Sequence, residues 1–318
     1  PLLWSRAGWM GTQRLPVHWG GDSDTTFSSL AATLRGGLSL ALSGYGFWSH
    51  DIGGFSGTPS SELYIRWAQF GLLSSHARFH GTTPREPWEF GDEALAIFRK
   101  FARLRYRLLP YLYTHAVITS RTGLPMMRPL VLHYADDPAT RTIETQYLLG
   151  RDLLVAPVLT ADSSVEVYLP DGEWIDSWSD TRYEGRQTLQ LDVPLEEIPL
   201  FIRAGSIVPS QEPTQTVQPG PPEQLVLTAR LSNGGASGQY YNESSDTMTA
   251  VTVSAGSTVE LTVDGELPDT VLTVTGIQTT PTDVCITTTP DNTETVLNGD
   301  SWSHEGDTLT VEISRLPR

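Results

Sequence analysis

Apolar runs alternate with segments of helical periodicity over the first part of the chain. Four of these runs have the pattern of short strands that end in polar residues: PLLWSRAG, RLPVHWGGD, LSGYGFWSHDIGGF and FGLLSSHARFHG. Between the second and third runs, residues 26–42 carry apolar side chains at helical spacing, namely Phe27, Leu30, Leu34 and Leu38. Strands that alternate with helices predict βα units and a parallel sheet.

A longer amphipathic segment follows, from about Asp92 to Ser120. Its spacing assigns one set of side chains to a buried face: Leu95, Phe98, Ala102, Leu108 and Leu112. It leaves a basic set in solvent: Arg99, Lys100, Arg103 and Arg107. The pattern predicts a long amphipathic helical stretch.

The pattern changes from residue 125 onward. Short apolar runs such as DLLVAPVL, SVEVYLP and LFIRAGSIVP are separated by Gly, Pro and Asp turns, as in antiparallel sandwiches. The Pro- and Gln-rich stretch SQEPTQTVQPGPPEQ has the composition of a linker and precedes a Thr- and Val-rich region with strand alternation. We therefore expect three domains: residues 1–124, 125–210 and 211–318.

Each of the four strand-like runs ends in a side chain that can do chemistry: Arg6, Asp22, Asp51 and His80. In a parallel sheet the carboxyl ends of the strands meet at one edge, where the active sites of such folds lie. Together with Trp19 and Phe55, these side chains suit a sugar ring, which presents hydroxyl edges and apolar faces. Glycosidic cleavage needs such acids because one carboxylic acid protonates the leaving oxygen.

The two aspartates at strand ends also have structural interpretations. Asp22 or Asp24 can cap the helix that starts near Thr25, because Asp is a preferred N-cap residue. Asp24 fits the cap better, which leaves Asp22 for chemistry. Asp51 can stabilise a turn at a strand exit.

The other candidates leave alternatives open as well. Phe55 can serve in packing, and Arg6 can form an ordinary ion pair or clamp a carboxylate or sugar hydroxyls. His80 can bind a metal, act as a base, bond a hydroxylated substrate or fill the core. His50, His76 and His80 show neither HExxH spacing nor a cysteine partner, which favours the last two roles.

Charge and motifs exclude several classes of protein. A formal net charge of -16 argues against nucleic acid, and the single cysteine allows no disulfide within the chain. No apolar run approaches the roughly 18 residues of a membrane span. No GxSxG, P-loop or GxGxxG with an acidic partner occurs. We predict a soluble protein, cytoplasmic or secreted, that uses no metal or cofactor and binds neither nucleic acid nor a membrane. Assembly into a homo-oligomer is compatible with the sequence.

Four stretches resemble glycoside hydrolase family 31, which contains retaining α-glucosidases and α-xylosidases: HWGGD, LRGGLSLALSGYGFWSHDIGGF, RWAQFGLLSSHARFHG and PMMRPL. The likeness covers residues 1 to about 210. It implies an α/β region followed by all-β regions. The first is the C-terminal half of a TIM (β/α)8 barrel, strands 5 to 8, and the rest are two antiparallel β-sandwich domains.

The resemblance also implies residue roles. It makes Asp22 the catalytic acid/base, and it makes a further set the lining of the sugar subsite: Arg6, Trp19, Asp51, Phe55 and His80. The family's nucleophile is an Asp on barrel strand four, for which this sequence has no matching motif. We therefore expect the nucleophile upstream of residue 1, on an N-terminal half of the same enzyme that carries strands 1 to 4. Because retention requires two carboxylates about 5–5.5 Å apart, we expect this chain alone to be inactive.

Within the family, SHDIGGF and HWGGD are more similar to the α-xylosidase branch than to the α-glucosidases. This favours removal of terminal α-xylosyl residues from an oligosaccharide or glycoside. The sequence is also compatible with an α-glucosidase, and with an α-transglycosylase in which a sugar acceptor replaces water. From another class, a non-catalytic carbohydrate-binding or inactive partner also stays open.

Overall fold

The computed structural model describes residues 3–15, 17–289, 293–314 and 316. The chain forms two compact units, one from Pro1–Arg105 and Ile118–Ile202 and the other from Tyr106–Val117 and Arg203–Arg318. The chain thus leaves the first unit for a short segment and returns to it before the second unit is completed. The domain boundaries after residues 124 and 210 stay predictions.

The N-terminal region alternates strands with helices. Strands β1 to β5 are Trp4–Ser5, Val17–Trp19, Trp48–Ser49, Asp51–Ile52 and Arg78–Phe79. Helices α1 to α4 are Phe27–Leu42, Ser61–Leu72, Asp92–Arg107 and Leu109–Thr122, and two 3-10 turns are Thr12–Arg14 and Pro87–Phe90. The predicted alternation of strand and helix is confirmed.

All of these strands pair in parallel. β1, β2 and β3 are neighbours in that order, with Trp4 opposite Val17 and His18 opposite Trp48. β4 pairs with β5, with Asp51 opposite Arg78. Parallel pairing directs the carboxyl ends of consecutive strands to the same edge, so the segments that follow β1, β2, β4 and β5 can form one site.

Helix α1 covers the predicted segment, but its cap differs from the prediction. The N-cap is Thr26, whose side chain accepts a hydrogen bond from the Ser29 amide at 3.1 Å. The prediction that Asp24 caps this helix is wrong, because the first helical residue is Phe27 and the cap must directly precede it. Asp24 instead forms an isolated parallel bridge with Ser56.

Helix α2 is buried along nearly its whole length and is anchored by polar side chains. The Arg66 guanidinium donates to the carbonyl oxygens of Val193, Pro194 and Glu197 at 2.7–3.0 Å. The Gln69 amide donates to the Leu195 carbonyl at 2.6 Å. These bonds connect helix α2 to the loop at residues 193–197, within one compact unit.

The predicted amphipathic stretch is two helices, because α3 ends at Arg107 and α4 begins at Leu109. The break precedes Pro110, which has no amide hydrogen and disfavours a helical residue before it. The predicted buried face is confirmed at Leu108 and Leu112. Within α3 it is wrong by about one position, because the predicted residues there are only partly buried and the buried ones are Ala94, Ile97 and Phe101. Lys100 is not free in solvent either. Its ammonium lies 4.2 Å from the centre of the Trp178 ring and donates to the Glu196 carbonyl.

The rest of the first unit is a two-layered β structure. Strands β6 to β13 are Met127–Arg128, Tyr147–Leu149, Leu153–Val155, Ser164–Leu169, Glu173–Asp176, Arg182–Glu184, Gln187–Asp192 and Leu200–Arg203, with 3-10 turns at Leu130–Leu132 and Pro138–Thr142. Six of them form a sheet in the order β11-β10-β13-β8-β7-β6, and β9 pairs antiparallel with β12. Side chains from both sheets share one core, including Leu154, Val167 and Trp174.

The second unit contains a single ten-stranded sheet. Strands β14 to β23 are Ser206–Ser210, Leu225–Arg230, Gly235–Asn242, Thr247–Ala255, Thr258–Asp264, Thr270–Thr275, Asp283–Thr289, Thr293–Val296, Trp302–Glu305 and Thr308–Ile313, with a 3-10 turn at Gly299–Ser301. Their order is β21-β20-β18-β17-β16-β14-β15-β19-β23-β22. Alternate residues along the strands enter one core, so the sheet curls around it.

The pairing of this sheet is mixed, whereas the sequence predicts antiparallel strands. β14–β16, β15–β19 and β18–β20 are parallel, and the other described pairs are antiparallel. The unit also includes part of α4: the Tyr241 amide donates to the Thr114 hydroxyl at 3.0 Å.

Within the described residues, none of the helices combines the length and the apolar composition that a membrane crossing requires.

Two adjacent glycines of α1 give a paired stability prediction. A Cβ on Gly37 would lie 2.0 Å from the buried Trp48 ring, whereas a Cβ on exposed Gly36 would meet nothing within 4 Å. We expect Gly37→Ala to destabilise the fold by about 1–3 kcal/mol through overpacking. Gly36→Ala should stabilise it by about 0.5–1 kcal/mol, because glycine is unfavourable inside a helix. Urea unfolding of both variants measures this, and equal effects of the same sign would contradict it.

His50 gives a prediction about pH. Its ring is buried and stacks on Phe70 with centroids 4.4 Å apart, and Nδ1 accepts the Trp67 indole N–H at 3.0 Å. Burial lowers the pKa of His50 from 6.5 to about 3. Between these pH values the unfolded chain binds a proton that the folded protein does not, so the free energy of unfolding falls as the pH drops through this window.

The test compares wild-type protein with His50→Gln, whose amide oxygen can still accept from Trp67. We expect urea titrations between pH 7 and 4 to show a shallower loss of stability in the variant. Carboxyl groups titrate in both proteins and cancel in the comparison. Parallel stability curves would show that His50 does not carry the effect.

Candidate active site

Arg6 and Asp22 form an exposed ion pair at the ends of the first two strands. Arg6 follows β1 and Asp22 follows β2, and Arg6 Nη1 lies 3.3 Å from Asp22 Oδ2. The two side chains are 58% and 40% exposed. Gly21 lies between the strand and Asp22 with φ of 84°, and a Cβ there would be 2.7 Å from Arg6 Nε. The second glycine of HWGGD therefore makes room for the arginine.

Asp51 forms a buried ion pair with Arg78, its cross-strand neighbour. The Asp51 side chain is 1% exposed, and Oδ1 accepts from Arg78 Nε at 2.9 Å and also from Nη2. The guanidinium carbon of Arg78 lies 4.9 Å from the centre of the Trp19 ring and 5.2 Å from that of Trp4. Two indoles and a carboxylate thus surround one guanidinium.

Sequence reasoning missed Arg78 and Trp4. Arg78 is the first residue of β5 and does not follow the strand, but it precedes His80 by two residues. Side chains two apart on a strand point to the same face, so this spacing could have identified it. Trp4 likewise precedes Arg6 by two residues.

Three polar atoms buried around Arg78 have no hydrogen-bond partner among the described residues: Asp51 Oδ2, Trp4 Nε1 and Trp19 Nε1. They are one acceptor and two donors. Buried polar atoms without partners are costly, so a group that supplied hydrogen bonds to them would stabilise this arrangement.

The charge on Asp51 reflects several opposing influences. Burial raises the pKa of the Asp51 carboxyl, while the hydrogen bond and charge of Arg78, and then His80, act to lower it. The charge of the Asp22 carboxylate also acts to raise the pKa of Asp51. Asp22 and His80 are thus both close enough to act electrostatically on Asp51.

Phe55 and His80 lie on two neighbouring loops. Their ring centroids are 5.4 Å apart, with the planes tilted by 44°. The Phe55 amide donates to the Ser23 carbonyl at 2.8 Å, and the Thr82 amide donates to the Phe55 carbonyl at 2.8 Å. Phe55 is therefore bonded on one side to the segment that carries Asp22 and on the other to the segment that carries His80.

The structure brings the six residues singled out in the sequence to one edge of the strands. Arg6 pairs with Asp22, Trp19 and Asp51 contact the same arginine, and Phe55 contacts His80. Their individual roles stay predictions. In the part of the chain that the structure describes, no three His, Cys, Asp or Glu side chains gather as a metal ion would require.

Comparison with known proteins agrees with this architecture. Residues 1–115 match the glycosyl hydrolases family 31 TIM-barrel domain, and residues 123–208 match the glycosyl hydrolase family 31 C-terminal domain. The solved structure of a Flavobacterium johnsoniae GH31 dextranase complexed with glucose superposes with a TM-score of 0.84. It is 30% identical, over 98% of this chain and 44% of that one. The predicted barrel and sandwich fold is confirmed.

Two curated relatives are similar in sequence. An α-xylosidase of Emericella nidulans is 44% identical over 218 residues, which are 65% of this chain and 28% of that protein. Alpha-glucosidase 2 of Bacillus thermoamyloliquefaciens is 36% identical over 239 residues, which are 74% of this chain and 30% of that protein. The chain spans less than a third of the length of either relative. With two consecutive domains matched and the expected site residues gathered at the strand ends, the chain belongs to glycosyl hydrolase family 31.

Proposed function

We propose that this chain supplies the acid/base half of the active site of a retaining α-glycosidase that removes terminal α-linked xylose. The observation that carries the proposal is the exposed Asp22 carboxylate, which lies at a strand end beside the buried Asp51–Arg78 pair. A proton donor must reach the glycosidic oxygen, and Asp22 is the accessible carboxyl of the two.

In the proposed mechanism Asp22 first acts as an acid. It protonates the oxygen of the leaving group while a second carboxylate attacks the anomeric carbon and forms a covalent glycosyl-enzyme. Asp22, now a carboxylate, then removes a proton from water, which displaces the second carboxylate and regenerates the acid. The product keeps the α configuration because the anomeric carbon is inverted twice.

We assign the attacking carboxylate to a residue outside this chain. Asp51 is unsuited to the role because it is buried and its Oδ1 accepts two bonds from Arg78, which withdraw electron density from a nucleophile. Its remaining oxygen, Oδ2, is buried with no hydrogen-bond partner among the described residues, and we assign a sugar hydroxyl to it as the partner. We assign the attacking residue to an N-terminal half of the same enzyme, in keeping with the fact that the chain spans less than a third of the length of the two relatives.

The indoles and Phe55 complete the proposed sugar subsite. Trp4 and Trp19 each leave an N–H unpaired among the described residues, and each ring also lies against Arg78. Phe55 offers an apolar surface beside His80. A pyranose ring needs both kinds of contact, since its faces are apolar and its rim carries hydroxyls.

Glucose is the second candidate for the bound sugar. The similarity to an α-glucosidase and to a dextranase bound to glucose favours it, whereas the higher identity to an α-xylosidase favours xylose. We expect the full-length enzyme to hydrolyse an aryl α-xyloside with a kcat/KM at least about tenfold above that of the matching α-glucoside, a difference of about 1.4 kcal/mol in transition-state binding. Equal or reversed values would select the glucosidase.

Substitution of Asp22 tests the mechanism. In the full-length enzyme, Asp22→Ala should lower kcat/KM on a substrate with a poor leaving group by about 10²–10⁴-fold, because general acid catalysis is lost. An aryl glycoside with a good leaving group should lose less in the first step. Asp24→Ala is the matched control: this exposed acid is two residues away, and it should keep wild-type rates.

Azide separates the two catalytic roles. With Asp22→Ala, azide should attack the glycosyl-enzyme in place of activated water and give the α-glycosyl azide, detected by NMR. A β-glycosyl azide would instead identify Asp22 as the nucleophile. Nearly full activity of Asp22→Ala on the natural leaving group would refute the assignment altogether.

A further inference from the structure

The Arg85 side chain crosses between two loops of the candidate active site. We call residues 53–57 the Phe55 loop and residues 80–84 the His80 loop. The Arg85 guanidinium donates to the carbonyl oxygens of Gly54 and Gly57 at 2.7 and 2.8 Å, and to that of Thr83 at 2.9 Å. Arg85 is 4% exposed. One buried cation thus binds the backbone of both loops.

Glycines make the space for this guanidinium. A Cβ on Gly81 would lie 2.5 Å from Arg85 Nη2, and a Cβ on Gly53 would lie 3.2 Å from Arg85 Cδ. Gly54 instead lies close to the backbone of Asp24, since a Cβ there would be 2.7 Å from the Asp24 carbonyl oxygen. The glycines of DIGGF and HGTTPR therefore serve close backbone approach.

Helix α2 and the segment around Phe90 fix the main chain of Arg85. The Tyr64 hydroxyl of α2 donates to the Arg85 carbonyl at 2.9 Å, and the Tyr64 ring stacks on Phe90 with centroids 3.9 Å apart. Both rings are buried. These contacts fix the position from which the Arg85 guanidinium reaches the two loops. A lysine has a single ammonium group and could not reproduce the several N–H donors of the guanidinium.

We infer that Arg85 is a positioning residue that sets the separation between the Phe55 and His80 rings. Arg85 acts through the backbone, because it donates to the carbonyl oxygens of Gly54, Phe55 and Gly57 and directly follows the His80 loop. The inference rests on the proposed function, in which these two rings contact the sugar. Arg85 thereby controls how firmly the sugar is bound and leaves the proton transfer at Asp22 to other contacts.

This division predicts a specific kinetic signature. Asp22 has its own ion pair with Arg6, whereas the guanidinium of Arg85 binds carbonyl oxygens of the Phe55 and His80 loops. Loss of the Arg85 hydrogen bonds should therefore raise KM by about tenfold or more, with a smaller fall in kcat, because misplaced binding groups weaken substrate binding. A role confined to stability would lower the folded fraction and leave the KM of the folded enzyme unchanged.

The experiment uses Arg85→Ala in the full-length enzyme, with and without millimolar guanidinium chloride. Guanidinium should refill the vacated space and lower KM towards the wild-type value, whereas tetramethylammonium chloride at equal ionic strength should not. Hydrogen exchange of peptides that contain the Phe55 and His80 loops should be faster in the variant and slower again with guanidinium. Arg85→Lys should show a raised KM as well.

A second variant covers the case in which Arg85→Ala does not fold. Gly81→Ala keeps the arginine but pushes its flexible end away from its carbonyl partners, and the φ of Gly81 lies outside the left-handed region. It should raise KM in the same direction. Gly36→Ala, on the exposed face of α1, is the matched control and should leave KM unchanged.

A folded Arg85→Ala or Gly81→Ala enzyme with KM within twofold of wild type would overturn the inference. So would a raised KM that ignores guanidinium while both loops keep wild-type exchange. Failure of the proposed function is a separate result: wild-type enzyme would then release neither xylose nor glucose, and the exchange measurements would still decide whether Arg85 holds the loops together.

Discussion

The register of β4 against β5 is the constraint on which the site depends. It sets Asp51 opposite Arg78. Their ion pair then holds the Arg78 guanidinium in a fixed position near the ends of the strands. A slip of one residue would send Arg78 to the other face of its strand. The two indoles would then lose the cation between them, and Asp51 would be a buried carboxylate without a partner, which is strongly destabilising.

Arginine side chains form several of the hydrogen bonds that join segments distant in sequence. Arg66 binds carbonyl oxygens of the loop at 193–197, and Arg105 binds those of Leu72, Ser74 and Ser75, just before β5. A planar guanidinium can satisfy several carbonyls at once and keeps its charge when buried, which lysine does less well. In a chain with 21 basic residues and a single lysine, these cross-links use what the composition provides.

Much of the local structure follows from the sequence pattern. The spacing of Phe27, Leu30 and Leu34 predicted α1, and the strand ends were predictable because parallel strands leave their carboxyl ends on one edge. The choice of cap was not, since Asp24 and Thr26 are both good acceptors and the outcome depends on which residue starts the helix. The split between α3 and α4 carries its own signal in Pro110, which the amphipathic pattern conceals.

Contacts that depend on tertiary pairing were beyond the sequence. The two-residue spacing from His80 can indicate the face on which Arg78 lies but not that Asp51 is its partner, and the parallel pairs of the ten-stranded sheet join strands that are not adjacent along the chain. Periodicity reports which face of a strand is buried but not which strand lies beside it. The same limit explains why the buried face of α3 was misplaced by one position.

The interleaved course of the chain has a consequence for synthesis on the ribosome. The Thr114 hydroxyl receives its bond from the amide of Tyr241, a residue 127 positions later. At about 5–20 residues per second, the first turns of α4 must wait on the order of ten seconds for the strands they pack against. Through that interval the segment Tyr106–Val117 lacks the remaining residues of its own compact unit.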